Sequence, residues 1–245
     1  MSPAEKPSRP QDAEPHLASR AIPALCNFHS HSTLSDGVLS PVELLRRAAA
    51  AGYTDFAITD HAGLAELEWL AQQLGESCRI AREGWGINAI PGVELTHLPP
   101  KMIAEAAERA KDAGLQLVVV HGETPVEPVE PGTDRAAVSS PHVDILSHPG
   151  LITEEEAQMA AERGIFLEIT SRRGHCLANG LVARRALAAG ARLILDSDAH
   201  EPGDLWDAAF ARTVLQGAGL PDDQINIILE DNPKHMLARL NRAPR

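Results

Sequence analysis

A metal-ligand residue follows nearly every apolar, strand-like run in this sequence. Leu25–Phe28 is followed by His29 and His31, Phe56–Thr59 by Asp60 and His61, and Ile87–Val93 by Glu94. Leu117–Val120 leads to His121, Val143–Ser147 to His148, and Leu193–Leu195 to Asp196, Asp198 and His200. Six of the eleven histidines take such positions, which packing alone gives no reason to favour. Parallel strands gather their carboxyl ends at one face of a barrel, so residues scattered along the chain would meet in one small volume. Imidazoles and carboxylates together are a donor set for zinc, manganese or iron. Each residue alone reads as readily as structural: His61 suits any loop, Glu94 a solvated strand end, His121 a satisfied buried position. The joint pattern points to metal. His16, His142 and His235 look unrelated to it, and His97, in a Pro-flanked turn beyond Glu94, suits either reading.

The segments between these strands carry helix signals. Ser40-Pro-Val-Glu43 opens a helix as a capping box with proline at its first position, and Gly52 closes it. Leucines 64, 67, 70 and 74 mark a helix between His61 and Gly84, and Met102–Ala113 stops at Gly114. Thr153–Glu156 is a second capping box, with its helix ending at Gly164; Leu181–Ala189 ends at Gly190, and Asn232-Pro233 starts a last helix through Leu240. With Ile165–Thr170 there are seven strand candidates, and strands alternating with helices imply a parallel sheet. A doubly wound sheet has one switch point, whereas here nearly all strands contribute ligands, so the expectation is a closed barrel. Residues 122–142, rich in Pro, Glu, Thr, Ser and Gly, read as a long loop, which in a compact domain is usually functional or disordered.

The 245 residues suit one domain, and 44% apolar composition supplies a core. Residues 1–24 lack the apolar stretch of a signal peptide and read as a disordered tail. No apolar run approaches the ~20 residues of a membrane span. Three irregularly spaced cysteines, Cys26, Cys78 and Cys176, form no disulfide framework and suit a reducing cytoplasm. A formal charge of −12 argues against long nucleic acid, but leaves room for a small phosphorylated substrate. Oligomeric state is not legible.

The run His29-Ser-His-Ser-Thr-Leu-Ser-Asp-Gly37 comes first, then Ile58-Thr-Asp-His61, Pro91-Gly-Val-Glu94 and His121. Ser147-His-Pro149 and Asp196-Ser-Asp-Ala-His200 complete a series that resembles the successive motifs of the PHP (polymerase and histidinol phosphatase) superfamily. The resemblance covers about residues 25–240. It implies an α/β fold, a distorted (β/α)7 TIM-like barrel over 25–245, with two or three divalent transition metals (Mn, Zn or Fe). It implies that His29, His31, Glu94 and Asp198 hold one metal, that Glu94 bridges to a second held by His121 and His148, and that Asp36, His61 and His200 hold a third. Some members have histidine where this chain has Asp36, a change that bears on metal preference and occupancy. The expected activity is hydrolysis of small phosphomonoesters, of which histidinol phosphate is the obvious candidate, with Glu94, Asp198 and His200 at the chemistry. A bridging carboxylate can hold two metals about 3.5–4 Å apart with an activated hydroxide between them. Asp60 adjoins a ligand and either orients it or caps the next helix.

The sixth strand carries no ligand in this reading. Arg172, Arg173 and His175 follow it, and a guanidinium suits phosphate through paired, charge-assisted hydrogen bonds. Arg173 is favoured because Gly174 lets the chain turn it inward. Asn179 is a weaker candidate, and Glu123, Thr124 and Arg135 reach the site only if the long loop folds over it. Competing readings are a nucleotide phosphatase or exonuclease of the same superfamily and a non-enzymatic metal-binding scaffold. An amidohydrolase barrel also starts with His-x-His, but it commonly places a lysine after the fourth strand, where this chain has His121.

Overall fold

A computed structural model describes residues 24–241. The expected disordered tail over 1–24 therefore falls, Ala24 apart, outside the described residues. The strands are β1 (Leu25–Asn27), β2 (Tyr53–Ile58), β3 (His61–Ala62), β4 (Asn88–Leu95), β5 (Leu117–His121), β6 (Ile145–Ser147), β7 (Phe166–Thr170) and β8 (Leu193–Asp196). All pair in parallel in the order β1-β2-β4-β5-β6-β7-β8, with β3 beside β4. Helices α1 (Pro41–Ala50), α2 (Leu67–Trp85), α3 (Ile103–Asp112), α4 (Thr133–Ser139), α5 (Glu154–Arg163) and α6 (Asn179–Ala189) lie between them. After β8 come α7 (Ala208–Gly217), α8 (Asp222–Asn226) and α9 (Asn232–Leu240). This is the expected α/β, TIM-like barrel with seven principal strands.

The barrel is distorted at its seam. The ladder between β8 and β1 is reduced to one bridge, Ser30 to Ala199. Side chains do the rest: Asp196 Oδ1 accepts from Phe28 N at 2.5 Å, and Asn27 Oδ1 accepts from Ser197 N at 2.7 Å. Ordinary pairing stops where the chain must turn its histidines inward.

Successive strand residues point to opposite faces. The outward set, such as Val118, Val120, Leu167, Ile169, Leu193 and Leu195, packs under the helices in the larger core cluster. The inward set forms a second cluster: Phe28, Ala57, Ile90, Leu117, Val119, Ile145, Phe166 and Ile194, with Met236 of α9 joining it. Continuing each inward column by two residues reaches Glu94 beyond Gly92, His121 beyond Val119, Ser147 beyond Ile145, Glu168 beyond Phe166 and Asp196 beyond Ile194. Each column thus runs from apolar to polar along the strand direction.

Several boundaries differ from expectation. His61 and Ala62 pair with Glu94 and Leu95, so α2 cannot begin until Leu67; it runs through Gly84 to a left-handed cap at Gly86 (φ 69°). The stretch 122–142 is not all loop. It contains α4, which buries Ala137 and Val138 in a composition that masks its helical character. Helices α7 and α8 also went unread; Asp207 caps α7 by accepting from Phe210 N. Thr153 and Glu156 form the expected reciprocal box, whereas the box at Ser40 is half formed: Ser40 accepts from Glu43 N, but the Glu43 carboxylate turns to Arg47.

Opposite the polar rim, one buried carboxylate ties three elements together. Asp144 accepts from Val118 N (3.0 Å), Lys111 Nζ (2.5 Å) and Arg239 Nε (2.8 Å). Asp144→Ala would strand a buried amide and two half-buried cations, so an unfolding titration should show a loss on the order of 2–3 kcal/mol. A loss below about 0.5 kcal/mol, the level of an ordinary surface change, would mean that the network adds nothing to stability.

Candidate metal centre

Nine residues predicted from the sequence, His29, His31, Asp36, His61, Glu94, His121, His148, Asp198 and His200, converge at the strand carboxyl ends. Glu94 lies at the middle, with no exposed surface. Its Oε2 is 3.3 Å from His29 Nε2, 3.6 Å from His31 Nε2 and 2.9 Å from His61 Nδ1, and its Oε1 is 3.4 Å from His148 Nε2. Asp198 Oδ1 is 3.1 Å from His31 Nε2 and 3.7 Å from His29 Nε2. Asp36 is nearer the exterior, 3.2 Å from His200 Nε2 and 3.5 Å from His61 Nε2. The donor atoms fall into overlapping groups of ion-binding size: His29–His31–Glu94, His29–His148–Asp198, Glu94–His121–His148 and His31–Asp36–His61–His200. These differ from the partition the resemblance implies at two residues: His31 also faces Asp36, His61 and His200, and His148 also faces His29 and Asp198.

Two observations fit this set to metal. Glu94 Oε2 and His31 Nδ1 are buried polar atoms without a hydrogen-bond partner, and a cation among these donors would satisfy them. Four imidazoles are also oriented from behind. His29 Nδ1 meets Glu168 Oε1 at 2.7 Å, His121 Nδ1 the Gly122 carbonyl at 3.2 Å, and His200 Nδ1 the Asp198 carbonyl at 2.9 Å. His61 Nδ1 meets Thr96 Oγ1 at 2.7 Å; that hydroxyl donates to the Glu94 carbonyl, so it accepts from the ring. With each Nδ1 held as the donor, Nε2 is the nitrogen whose lone pair a metal takes once its proton leaves, the arrangement that outer partners impose on metal-binding histidines.

Glu168 escaped the sequence reading, which took the sixth principal strand to lack site residues. It is fully buried on β7 and also accepts from His148 N at 2.8 Å, so one carboxylate fixes two candidate ligands. The inward period-2 position after Phe166 was the available signal. Asp60 neither caps α2 nor orients His61. It accepts from Ser32 N, Ser32 Oγ and Ser35 Oγ, each at 2.7 Å, pinning the turn between His31 and Asp36. Gly37 closes that turn, where a Cβ would collide with the His31 carbonyl oxygen. His148 (φ 27°) and Asp198 (φ 51°) hold left-handed backbone conformations that non-glycine residues adopt only under constraint.

Burial opposes charge on Glu94, yet His29, His121 and His61 hold its carboxyl well below the usual range. Burial likewise depresses His29, but Glu94, Glu168 and Asp198 outweigh it and raise that imidazole well above its ordinary value. His61 is raised to about 10, with burial opposed by Glu94 and Asp36. His121 and His200 are also raised against burial, chiefly through Glu94 for the one and Asp36 for the other. His31 is pushed down to about 3, first by burial.

The expected substrate contacts separate. Arg172 is half-buried and donates from Nη1 to Asp204 Oδ2 at 3.2 Å; the same oxygen accepts from His200 N at 2.9 Å. Arg173, the favoured residue, is exposed, with no hydrogen bond or ion pair among the described residues. Gly174 (φ 91°) turns the chain so that His175 goes inward instead, its Nδ1 2.8 Å from Thr124 Oγ1 and its ring 4.3 Å from that of His148. Thr124 therefore does reach the site. Glu123 serves its own loop, accepting from Gly132 N and Asp134 N, and Arg135 pairs with Glu155. Asn179 exchanges hydrogen bonds with the Thr170 backbone, fixing the end of β7. Glu127 was not anticipated; it lies 3.1 Å from His121 Nε2.

In the metal-free protein the raised histidines are protonated near neutrality, and a metal needs their lone pairs. Uptake of zinc or manganese should release protons and tighten as pH rises from neutrality toward the His61 value of about 10. Calorimetry in buffers of different ionisation enthalpy measures this; a binding heat independent of the buffer would count against it. Glu168→Gln should weaken metal affinity by roughly ten- to a hundred-fold with the fold intact. Unchanged affinity would reduce Glu168 to a packing role.

Comparisons with known proteins agree with this geometry. Residues 27–125 match the PHP domain family. Over 215 residues the chain is 46% identical to the uncharacterized protein MJ1295 of Methanocaldococcus jannaschii, covering 87% of this chain and 99% of that protein. It is 28% identical over 226 residues to a probable phosphatase of Caldanaerobacter subterraneus subsp. tengcongensis, covering 85% of this chain and 89% of the relative. Its fold resembles the crystal structure of histidinol phosphate phosphatase from Lactococcus lactis subsp. lactis, solved with zinc, L-histidinol and phosphate. That likeness has a TM-score of 0.56 at 16% identity and covers 80% of this chain and 94% of the other. Ordered motifs, a distorted parallel barrel and this extent of similarity together make the chain a member of the PHP domain family.

Proposed function

We propose that this protein is a metal-dependent hydrolase of small phosphomonoesters of the histidinol phosphate type. The observation that carries the reading is the convergence on buried Glu94 of five imidazoles from four segments, each with a nitrogen within 3.6 Å or grouped with it at ion-binding distance. The name of the Caldanaerobacter relative agrees with it. In this proposal His29, His31, Glu94, Asp198, His121 and His148 hold two divalent ions, and Asp36, His61 and His200 hold a third. When bound, such ions supply Lewis acidity toward phosphate oxygens and make water a usable nucleophile near neutral pH.

The chain's own groups have distinct tasks. Glu94 stays ionised despite burial, because the surrounding imidazoles hold its pKa down. Glu168 keeps His29 in the tautomer whose Nε2 faces the centre. Arg172 is the anion-binding group, held beside His200 by their shared contact with Asp204. Its fork has donors beyond the one that Asp204 takes, and these suit phosphate oxygens. Burial, then His148, lowers His175 to about 4, so it is neutral when it meets substrate.

A panel of histidinol phosphate, nucleotides, simple phosphomonoesters and a single-stranded oligonucleotide, with manganese, zinc or iron supplied, tests the reading. Monoester hydrolysis should dominate and vanish in Glu94→Gln. Processive degradation of the oligonucleotide at physiological salt would replace this reading with a nuclease. Arg172→Ala should lower kcat/KM by about ten- to a hundred-fold without changing metal content, whereas Arg173→Ala should change it by less than about twofold. The reverse ranking would move the phosphate site to Arg173.

A further inference from the structure

Beside the nine residues of the centre lies one more set of metal-competent side chains. His97 follows β4 by two residues, and Glu127 lies on the segment leaving β5. Glu127 Oε2 is 3.1 Å from His121 Nε2 and 3.5 Å from His97 Nε2. The His97 and His121 rings are 5.2 Å apart and inclined by 32°. Two donors on one ion, with bonds near 2.1 Å and a tetrahedral angle, lie about 3.4 Å apart. The two observed separations bracket that value. The His97 and Glu127 side chains are 44% and 37% exposed, whereas that of His121 is 3% exposed, so the set runs from the mouth of the pocket inward. His97 also has a left-handed backbone (φ 52°), and the other non-glycine residues with positive φ among those described are His148 and Asp198 of the centre itself.

We propose that His97, His121 and Glu127 form an outer divalent-metal position at the pocket mouth, taking zinc, manganese or iron and sharing His121 with the inner group Glu94–His121–His148. The His121 Nδ1 donates to the Gly122 carbonyl, so Nε2 is its one available lone pair. One lone pair serves one ion. An outer ion therefore takes His121 from the inner group, and the inner ion stays on Glu94 and His148 with weaker hold, so the outer ion adds one equivalent. The outer position is the more exposed and has a single carboxylate, so it fills at higher metal concentration. Excess metal then opposes the inner group. The rival account is that Glu127 merely accepts hydrogen bonds from imidazoles, His175 Nε2 at 3.4 Å included.

The test is calorimetric titration of the metal-free full-length protein with zinc, comparing wild type, His97→Ala and Glu127→Gln. Wild type should bind one weak equivalent beyond its tight ones. Both variants should lose that equivalent, with the tight affinities kept within about threefold. Circular dichroism and Tm confirm folding of each variant. An unchanged weak equivalent in either variant, no weak equivalent in wild type, or loss of a tight equivalent with His97→Ala overturns the proposal. No substrate enters the titration, so its outcome is independent of the phosphatase reading.

Discussion

Glu94 puts a full negative charge where no water reaches it. Such a carboxylate is expensive in a low-dielectric interior unless positive groups surround it. Asp198 and Glu168 are buried at the same end of the barrel, and Asp196 lies beside them with its carboxyl pushed upward by burial and by Glu168. Six imidazoles from five segments answer this charge. In the metal-free chain His29, His61, His121 and His200, each raised above its ordinary value, do so as protonated partners, and the same atoms are the donors a divalent ion requires. The clustering of carboxylates thus dictates both the density of histidines and the affinity for cations.

The barrel makes this arrangement affordable by confining it to one level. Below the polar rim the inward columns are Phe28, Ile90, Leu117, Val119, Phe166 and Ile194, joined by Met236. That floor keeps the dielectric low beneath the site and strengthens each interaction above it. The period of two along a strand moves a column from floor to rim in a single step. The seam between β8 and β1 departs from regular pairing for the same reason. There Asn27 and Asp196 replace ladder bonds with side-chain bonds, and the chain on either side is released to present His29, His31, Asp198 and His200.

Rigidity around the centre comes from groups that never touch it. Asp60 gathers three hydrogen bonds from the Ser32–Ser35 turn, Asn179 clamps Thr170, and Asp204 holds both Arg172 and the backbone at His200. The last of these couples an anion-binding candidate to a metal-binding one. Against a net charge of −12, the proposed guanidinium and metal ions would confine attraction for phosphate to one point rather than spreading it over a surface.

The period and order of the apolar runs, with a ligand-type residue after each, determined the parallel barrel and eight of the nine candidate ligands; Asp36 came from the resemblance of the first motif. That information is local: strand polarity and side-chain alternation follow from the chain itself, and a parallel barrel has only one carboxyl-end face. The sequence by itself could not reveal partners that depend on which strands are neighbours. Glu168 looked like part of a strand without ligands, because its role exists only once β7 lies beside β6 and β1 brings His29 across the barrel. Thr96 and Asp204 were invisible for the same reason. Arg172 and Arg173 are indistinguishable in sequence; the positive φ at Gly174 directs His175 inward, while Asp204 engages Arg172. Helix α4 was hidden because packing of Ala137 and Val138, rather than intrinsic propensity, stabilises it. Tertiary structure decided these points because each rests on the distance between residues far apart in the chain, which local pattern does not encode.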